Sequence, residues 1–299
     1  MVGNFFKRQW IVPYLFLAPA LLATIAFKLY PIFIGFWESL IYTSFGGGVE
    51  KRMFVWFENY QYLFDDPLFW QSLKITSILT IIINPFQIAL SLGLALLLMR
   101  KSKYLRIIRS LYLLPIGVAL PIATVVWGLM LDPYQGLVNG FLGLFGVPPQ
   151  PFLVSEDQAL WSIIAIATWK GVAFWMLFLL AGMEEIPTQY YEAAKIDGAN
   201  HYDIFIKIIL PLSIPAFASI FILQFLWVWN DLLVGLVFLD KHPSEIILTA
   251  KLKELLGSRG ENWEILTTGA FISMSVPLLI FFSLQRYFIR GLVAGSVKG

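Results

Sequence analysis

The chain has 299 residues, of which 59% are hydrophobic, 16% aromatic and only 13% charged, with a mean hydropathy of +0.76. Water-soluble domains carry roughly 25% charged residues, so this composition excludes a soluble globular protein and points to a polytopic membrane protein. The absence of cysteine excludes disulfides, thiolate nucleophiles and zinc–thiolate sites, and the net charge of +2, scattered over loops, offers no basic face for nucleic acid.

Six apolar runs are long enough to cross ~30 Å of hydrocarbon at ~1.5 Å per residue. They are Trp10 to about Tyr30, Leu73–Met99, Ile107–Leu131, Leu160–Met183, Ile208–Leu239 and Ile265–Leu284. None alternates with period two, so the expected fold class is all-α, with about six transmembrane helices, rather than an outer-membrane barrel. Prolines at 85, 115, 121, 211, 215 and 277 mark expected kinks or broken turns. The first run continues through Pro31 to Phe45, longer than one span needs, so part of it is expected outside the membrane or along its surface. This divides the chain into a first span with its outer segment (1–72) and a core transmembrane domain (73–299). Ala18-Pro19-Ala20 resembles a signal-cleavage site, but only about seven apolar residues precede it, so a retained span is expected.

Lysine and arginine distribute unevenly between alternate loops. Twelve lie on the side of Lys7, Arg100–Arg109, Lys195, Lys207 and Arg286, against six on the side of Lys51, Lys241 and Arg259. The positive-inside rule then predicts that both termini are cytoplasmic.

The fourth-to-fifth loop, 186–215, reads IPTQYYEAAKIDGANHYDIFIKIILPLSIP. Thr188 is expected to cap a short helix running through Ile196, with Glu192 near its positive end. Gly198 suits the left-handed turn that stops it. Asn200 then caps a second helix, with Asp203 in the capping-box position, that continues towards Pro211 and the fifth span. Small side chains at Ala193 and Ala194 leave room for a partner's approach.

Glu192, Ala193, Ala194, Asp197, Gly198, Ala199, Phe205, Ile208, Leu210 and Pro211 resemble the EAA loop of bacterial binding-protein-dependent ABC importer permeases. NYQYLFDDPLFWQSLKIT and LALLLMRKSKYLRIIRSLYLLP are similar to segments of carbohydrate-importer permeases, and the final QRYFIRGLVAGSVKG to the tail of a maltose-transporter permease. FLWVWNDLLVGLVFL looks most like α-glucoside and glucose importer permeases. The resemblance implies a multi-pass subunit of a bacterial inner membrane. Its expected partners are a sister permease in a heterodimer, two ATPase subunits and an extracytoplasmic sugar-binding protein. It implies that the loop docks as a coupling helix on an ATPase, and that the tail (286–299) makes a second ATPase contact through Arg290, Gly291, Gly295 and Lys298. It also places the outer loop, at Leu255, Gly257, Arg259 and Asn262, against the binding protein.

The chain lacks a G-x-x-x-x-G-K-[ST] phosphate loop, since Gly46-Gly47-Gly48 is followed by Val49-Glu50-Lys51. No cofactor is expected on this chain, ATP and magnesium being assigned to the partner ATPase. No nucleophile–base constellation stands out, so a non-enzymatic transport subunit is expected. Polar groups inside spans are costly and functional by default. Trp169 and Lys170 in the fourth span, and Gln224, Trp227, Asn230 and Asp231 in the fifth, are substrate-pathway candidates. Lys170 serves equally well as a structural partner of a neighbouring helix's carboxylate or carbonyl. Asn84 and Gln87 are expected to form interhelical hydrogen bonds, Lys28 to snorkel, and Glu38 has no assigned role. A stand-alone secondary transporter or channel, with Lys170 and Asp231 as a relay, leaves the loop at 186–215 unexplained. A membrane-embedded enzyme would need paired carboxylates that the spans lack.

Overall fold

The computed structural model describes residues 2–46, 49–99, 102–184, 186–239, 246–257 and 262–296. Helix α1 (Val2–Thr24) runs through a π-turn (Ile25–Leu29) into α2 (Tyr30–Ser39). The hairpin β1 (Ile41–Gly46) and β2 (Val49–Phe54) follows, then α3 (Glu58–Phe64) and α4 (Pro67–Leu98). Three pieces, α5 (Lys103–Tyr112), α6 (Leu114–Gly117) and α7 (Leu120–Met130), make up the region of the third span. After α8 (Leu137–Gly143) comes the long α9 (Glu156–Glu184), then α10 (Thr188–Ile196) and α11 (His201–Ile204). A second π-turn (Phe205–Ile209) leads into α12 (Leu210–Trp229), followed by α13 (Leu233–Phe238), α14 (Leu248–Leu255) and α15 (Trp263–Ser296).

Among the described residues, four helices are long and apolar enough to cross a membrane, or up to six if each of two bent pairs is one span. One pair, Lys103–Gly117 with Leu120–Met130, bends by 98°; the other joins His201–Ile214 to Ala216–Trp229. The bends fall where prolines remove backbone donors. The break expected around Pro115 and Pro121 is observed, and the third span is an elbow. Two limits differ from expectation. The first span, expected to end near Tyr30, stays helical to Ser39 before a strand begins at Ile41. The fifth helix stops at Trp229, with Asn230 at its C-terminal cap, rather than at Leu239.

Each π-turn ends two residues before a proline, Pro31 and Pro211. A proline ring clashes with the carbonyl four residues earlier and has no N–H to give it. Widening the preceding turn by one residue relieves both problems without ending the helix.

Contacts divide the chain into two units, Met1–Pro67 with Leu252–Ile272, and Leu68–Lys251 with Ser273–Gly299. In the first, the Ser39 carbonyl accepts from Asn59 Nδ2 at 2.9 Å and Thr268 Oγ1 at 3.3 Å, which ties the end of α2 to α3 and α15. Glu38 pairs with Arg52 of β2, and Trp37, Phe54 and Trp56 pack ring to ring. Glu38 thus anchors the hairpin to the helix it leaves. In the second unit α9 is the central element, apolar all round and buried along most of its length. One cluster packs Ala159, Ile163 and Ile166 against Ile75, Leu79 and Ile83 of α4 and Leu239, Ile246 and Ile247. Another packs Trp175, Met176, Leu179 and Met183 against Ala95 and Leu98 of α4, with Ile204, Ile209 and Ile220.

Candidate functional site

Between the two apolar clusters, at residues 167–171 of α9, the packing becomes polar. Gln87 of α4 donates to the Ala167 carbonyl at 2.9 Å and reaches that of Thr168 at 3.3 Å. Its own amide oxygen accepts from Gln224 of α12, and the Gln224 oxygen accepts from the Trp175 indole N–H. Ser91 donates to the Val172 carbonyl at 3.1 Å. These bonds cross three helices, and Gly171 leaves room for Gln87: a Cβ there would lie 1.9 Å from its Nε2. The interhelical role expected of Gln87 is observed. For Asn84 it is not, because its buried Oδ1 has no partner.

A cavity of about 330 Å³ opens beside this network, lined among others by Ile116, Leu120 and Thr124 of the elbow, Lys170, Phe174, Trp227 and Asp231. The pathway candidates behave differently around it. Trp227 is 62% exposed and meets Phe174 and Trp175 edge to face at 5.5 and 6.0 Å. Gln224 lines the wall but is only 4% exposed and hydrogen-bonded on both sides, so its first duty is interhelical. Trp169 packs against Trp127 at 5.3 Å and is not among the lining residues. Asn230 donates to the Leu226 carbonyl at 2.8 Å, terminating α12. Asp231 lines the cavity, and its carbonyl accepts from Thr249 at 2.7 Å. The Lys170 ammonium donates to backbone carbonyls at the elbow, the structural partnership that the sequence left open.

At the far end of α9 the two-helix loop forms from local rules. Helix α10 covers Thr188–Ile196 as expected, but Thr188 is its first helical residue, with Pro187 before it and no side-chain cap. Its C-terminus is a Schellman motif: Ala199 N–H bonds the Ala194 carbonyl at 2.9 Å and Gly198 N–H that of Lys195 at 3.1 Å, with Gly198 at φ +78°. Asn200 caps α11, accepting from Asp203 N–H at 2.9 Å, and Asp203 pairs with Lys207 at 2.6 Å. Ala194 does not face outward; it is 9% exposed and packs into the second apolar cluster, with Ala199 and Phe205 against it. Glu192, Ala193, Asp197 and Pro211 are exposed, and Leu210 is half-buried. The sequence reading missed two outward residues, Ile196 and Tyr202, which are 86% and 72% exposed. An isoleucine directly before a C-cap aspartate was the available signal.

In the first unit, Leu255 and Asn262 line a cavity of about 710 Å³ with Tyr42, Thr43 and Met53 of the hairpin. Gly257 takes φ +77°. Arg259 and Lys298 lie outside the described residues, whereas Arg290, Gly291 and Gly295 fall within α15.

Apolar helices and broken spans define a polytopic helical membrane protein. Residues 87–293, more than half of the chain, match the family described as binding-protein-dependent transport system inner membrane component, and the chain belongs to that family. It is 47% identical over 190 residues to the alpha-glucoside transport system permease protein AglG of Rhizobium meliloti, covering 61% of this chain and 48% of that protein. It is 32% identical to the trehalose/maltose transport system permease protein MalF of Thermococcus litoralis, over 73% of each chain. It is 30% identical to the sn-glycerol-3-phosphate transport system permease protein UgpA of Pectobacterium atrosepticum, over 76% of this chain and 75% of that one. The chain spans about half the length of AglG and 38% of the osmoprotective compounds uptake permease protein GgtD of Synechocystis. The fold is similar to a chain of a bacterial ABC transporter involved in import of the acidic polysaccharide alginate. There the TM-score is 0.78, with 97% of this chain and 98% of that one covered at 22% identity.

Proposed function

We propose that this chain is the membrane-spanning subunit of an ATP-binding-cassette importer. It translocates a sugar, a glucoside, disaccharide or glucose, delivered by an extracytoplasmic binding protein. The observation that carries this reading is the loop from Thr188 to Pro211: two short helices joined by a Schellman turn, the second capped by Asn200 and running through the π-turn into α12. On the cytoplasmic side it gives an ATPase a surface of Glu192, Ala193, Ile196, Asp197 and Tyr202. Its other face, at Ala194 and Ile204, is packed into the span cluster, so a push on the loop reaches the spans. ATP and magnesium belong to the two ATPase subunits, and a sister permease completes the pathway. The relatives named for alpha-glucosides and trehalose/maltose support the sugar class. So does the cavity, where the exposed Trp227 ring and Asp231 suit a hydroxyl-rich ligand. The tail at Arg290, Gly291 and Gly295 adds a second ATPase contact, and Leu255, Gly257 and Asn262 meet the binding protein.

Co-purification tests the assembly. A tagged chain extracted from its own membrane brings down an ATPase and a second permease, and vesicles holding that complex take up sugar only with ATP and the binding protein. Recovery of the chain without an ATPase, or uptake indifferent to ATP, would refute the proposal. Removing the residues after Phe288 lowers ATP-coupled uptake if the tail acts as proposed.

A further inference from the structure

Lys170 stands at the middle of the 29-residue α9. Its ammonium donates to the carbonyl of Pro115 at 2.5 Å and to that of Val118, and lies 3.5 Å from that of Ile116. These carbonyls form the elbow at which Lys103–Gly117 and Leu120–Met130 meet at 98°. The elbow exists because the chain leaves helical geometry at Val118 and Ala119, with ψ 121° and 139°. With the helical ladder broken there, the carbonyl of Pro115 takes only a long bond of 3.4 Å from Val118 N–H. Backbone acceptors left open in an apolar layer are costly, and so is an ammonium held there alone. Each removes the other's cost, and the C-terminal end of the α5–α6 segment favours a cation.

The same elbow residues, Ile116, Leu120, Ala123 and Thr124, line the cavity between the spans, with Lys170 and Gly171 beside them. We propose that Lys170 is a clasp that holds the elbow of the broken span against α9 and so keeps this wall of the cavity in place. It is a positioning residue whose donors are engaged by backbone rather than by cargo. When the clasp is lost the elbow swings from α9 and the wall residues meet water.

The chain carries no cysteine, so one introduced thiol reports one position. Thr124 is buried in the elbow wall, and Ser162 is buried on α9 outside the cavity. Thr124→Cys and Ser162→Cys are each combined with Lys170, Lys170→Met or Lys170→Arg in the full chain within its own membrane. A small charged thiol reagent is added, and the mass shift of this chain is followed. Losing charge-assisted hydrogen bonds predicts that Lys170→Met speeds labelling of Thr124→Cys by about tenfold or more. Ser162→Cys remains slow, and Lys170→Arg, which keeps the donors, stays near the parent rate. An unchanged rate at Thr124→Cys in Lys170→Met overturns the clasp. Should Lys170→Met expose both thiols, the arginine variant decides: slow labelling at both positions supports the clasp, and fast labelling overturns it. The labelling needs no cargo and no ATP, so it stands or fails separately from the importer proposal.

Discussion

A methyl group on Gly171 would lie 1.9 Å from Gln87 Nε2. The Gln87 amide can swing aside, but only by releasing the carbonyls of Ala167 and Thr168 and the contact with Gln224. A buried polar group left without partners costs about 1–3 kcal/mol, so Gly171→Ala lowers the thermal midpoint of the detergent-purified chain. In a Gln87→Leu background the amide is gone, and the same substitution costs markedly less, a non-additivity expected of groups in one network. Equal costs in both backgrounds would show that the glycine answers to something else. Gln87 and Gln224 were legible as polar residues in apolar runs. The role of Gly171 was not, because a close approach between helices has no signature on one strand of sequence. Nor could the sequence choose a partner for Lys170, since its acceptors are carbonyls, which every residue has.

In the two-helix loop the turn at Gly198 and the cap at Asn200 follow the sequence closely, because their determinants act within a few residues. Gly198 adopts φ +78° with nothing within 4 Å of the position a Cβ would take. Substitution there meets conformational cost alone, of about 1–2 kcal/mol for most residues and less for asparagine. ATPase recovery in co-purification is therefore expected to fall in the order Gly198, Asn, Ala, Val; a valine variant that retains the partner as well as asparagine does would contradict this. Asn200→Ala removes the cap on Asp203 N–H at about 1 kcal/mol, read as faster proteolysis of the loop. The hairpin shows the opposite case. Ile41–Phe45 prolongs an apolar run and reads as more helix, while Gly46-Gly47-Gly48, a hairpin turn signal, stands beside it. What settles the strand is the pairing of Ile41 with Phe54 and the Asn59 side chain on the Ile41 carbonyl, partners that local sequence does not display.

For the whole molecule, hydropathy located the four long apolar helices and the two bent pairs found among the described residues, because a bilayer imposes length and composition together. It could not say which runs are straight, since a proline can be absorbed by a π-turn, as before Pro211, or make an elbow, as around Pro115 and Pro121. The orientation expected from the lysine and arginine asymmetry is open to direct measurement in a chain without cysteine. Tyr134 and Ile196 are 94% and 86% exposed, on segments expected to face opposite sides. An impermeant thiol reagent is expected to label Tyr134→Cys from outside, and Ile196→Cys only once the membrane is opened. Labelling of Ile196→Cys from outside and of Tyr134→Cys only after opening would reverse the topology, and labelling of both from outside would contradict a span between them.

The π-turn at Phe205–Ile209 makes the distance from the loop to the cavity a matter of phase as well as length. Successive helical residues step by about 100° around the axis, and the turn carries one residue beyond an α-turn. Deleting a single residue within the turn would remove the one it holds in excess, so the helix closes as an ordinary α-turn and the span keeps its phase: Ile220 stays in the cluster it fills, and Gln224 stays on Gln87 and Trp175. A one-residue deletion between Pro211 and Ile220, where no spare residue is stored, would instead turn both away by about 100°. The π-turn is thus the place where this stretch of chain absorbs a change of length that the rest of the span cannot.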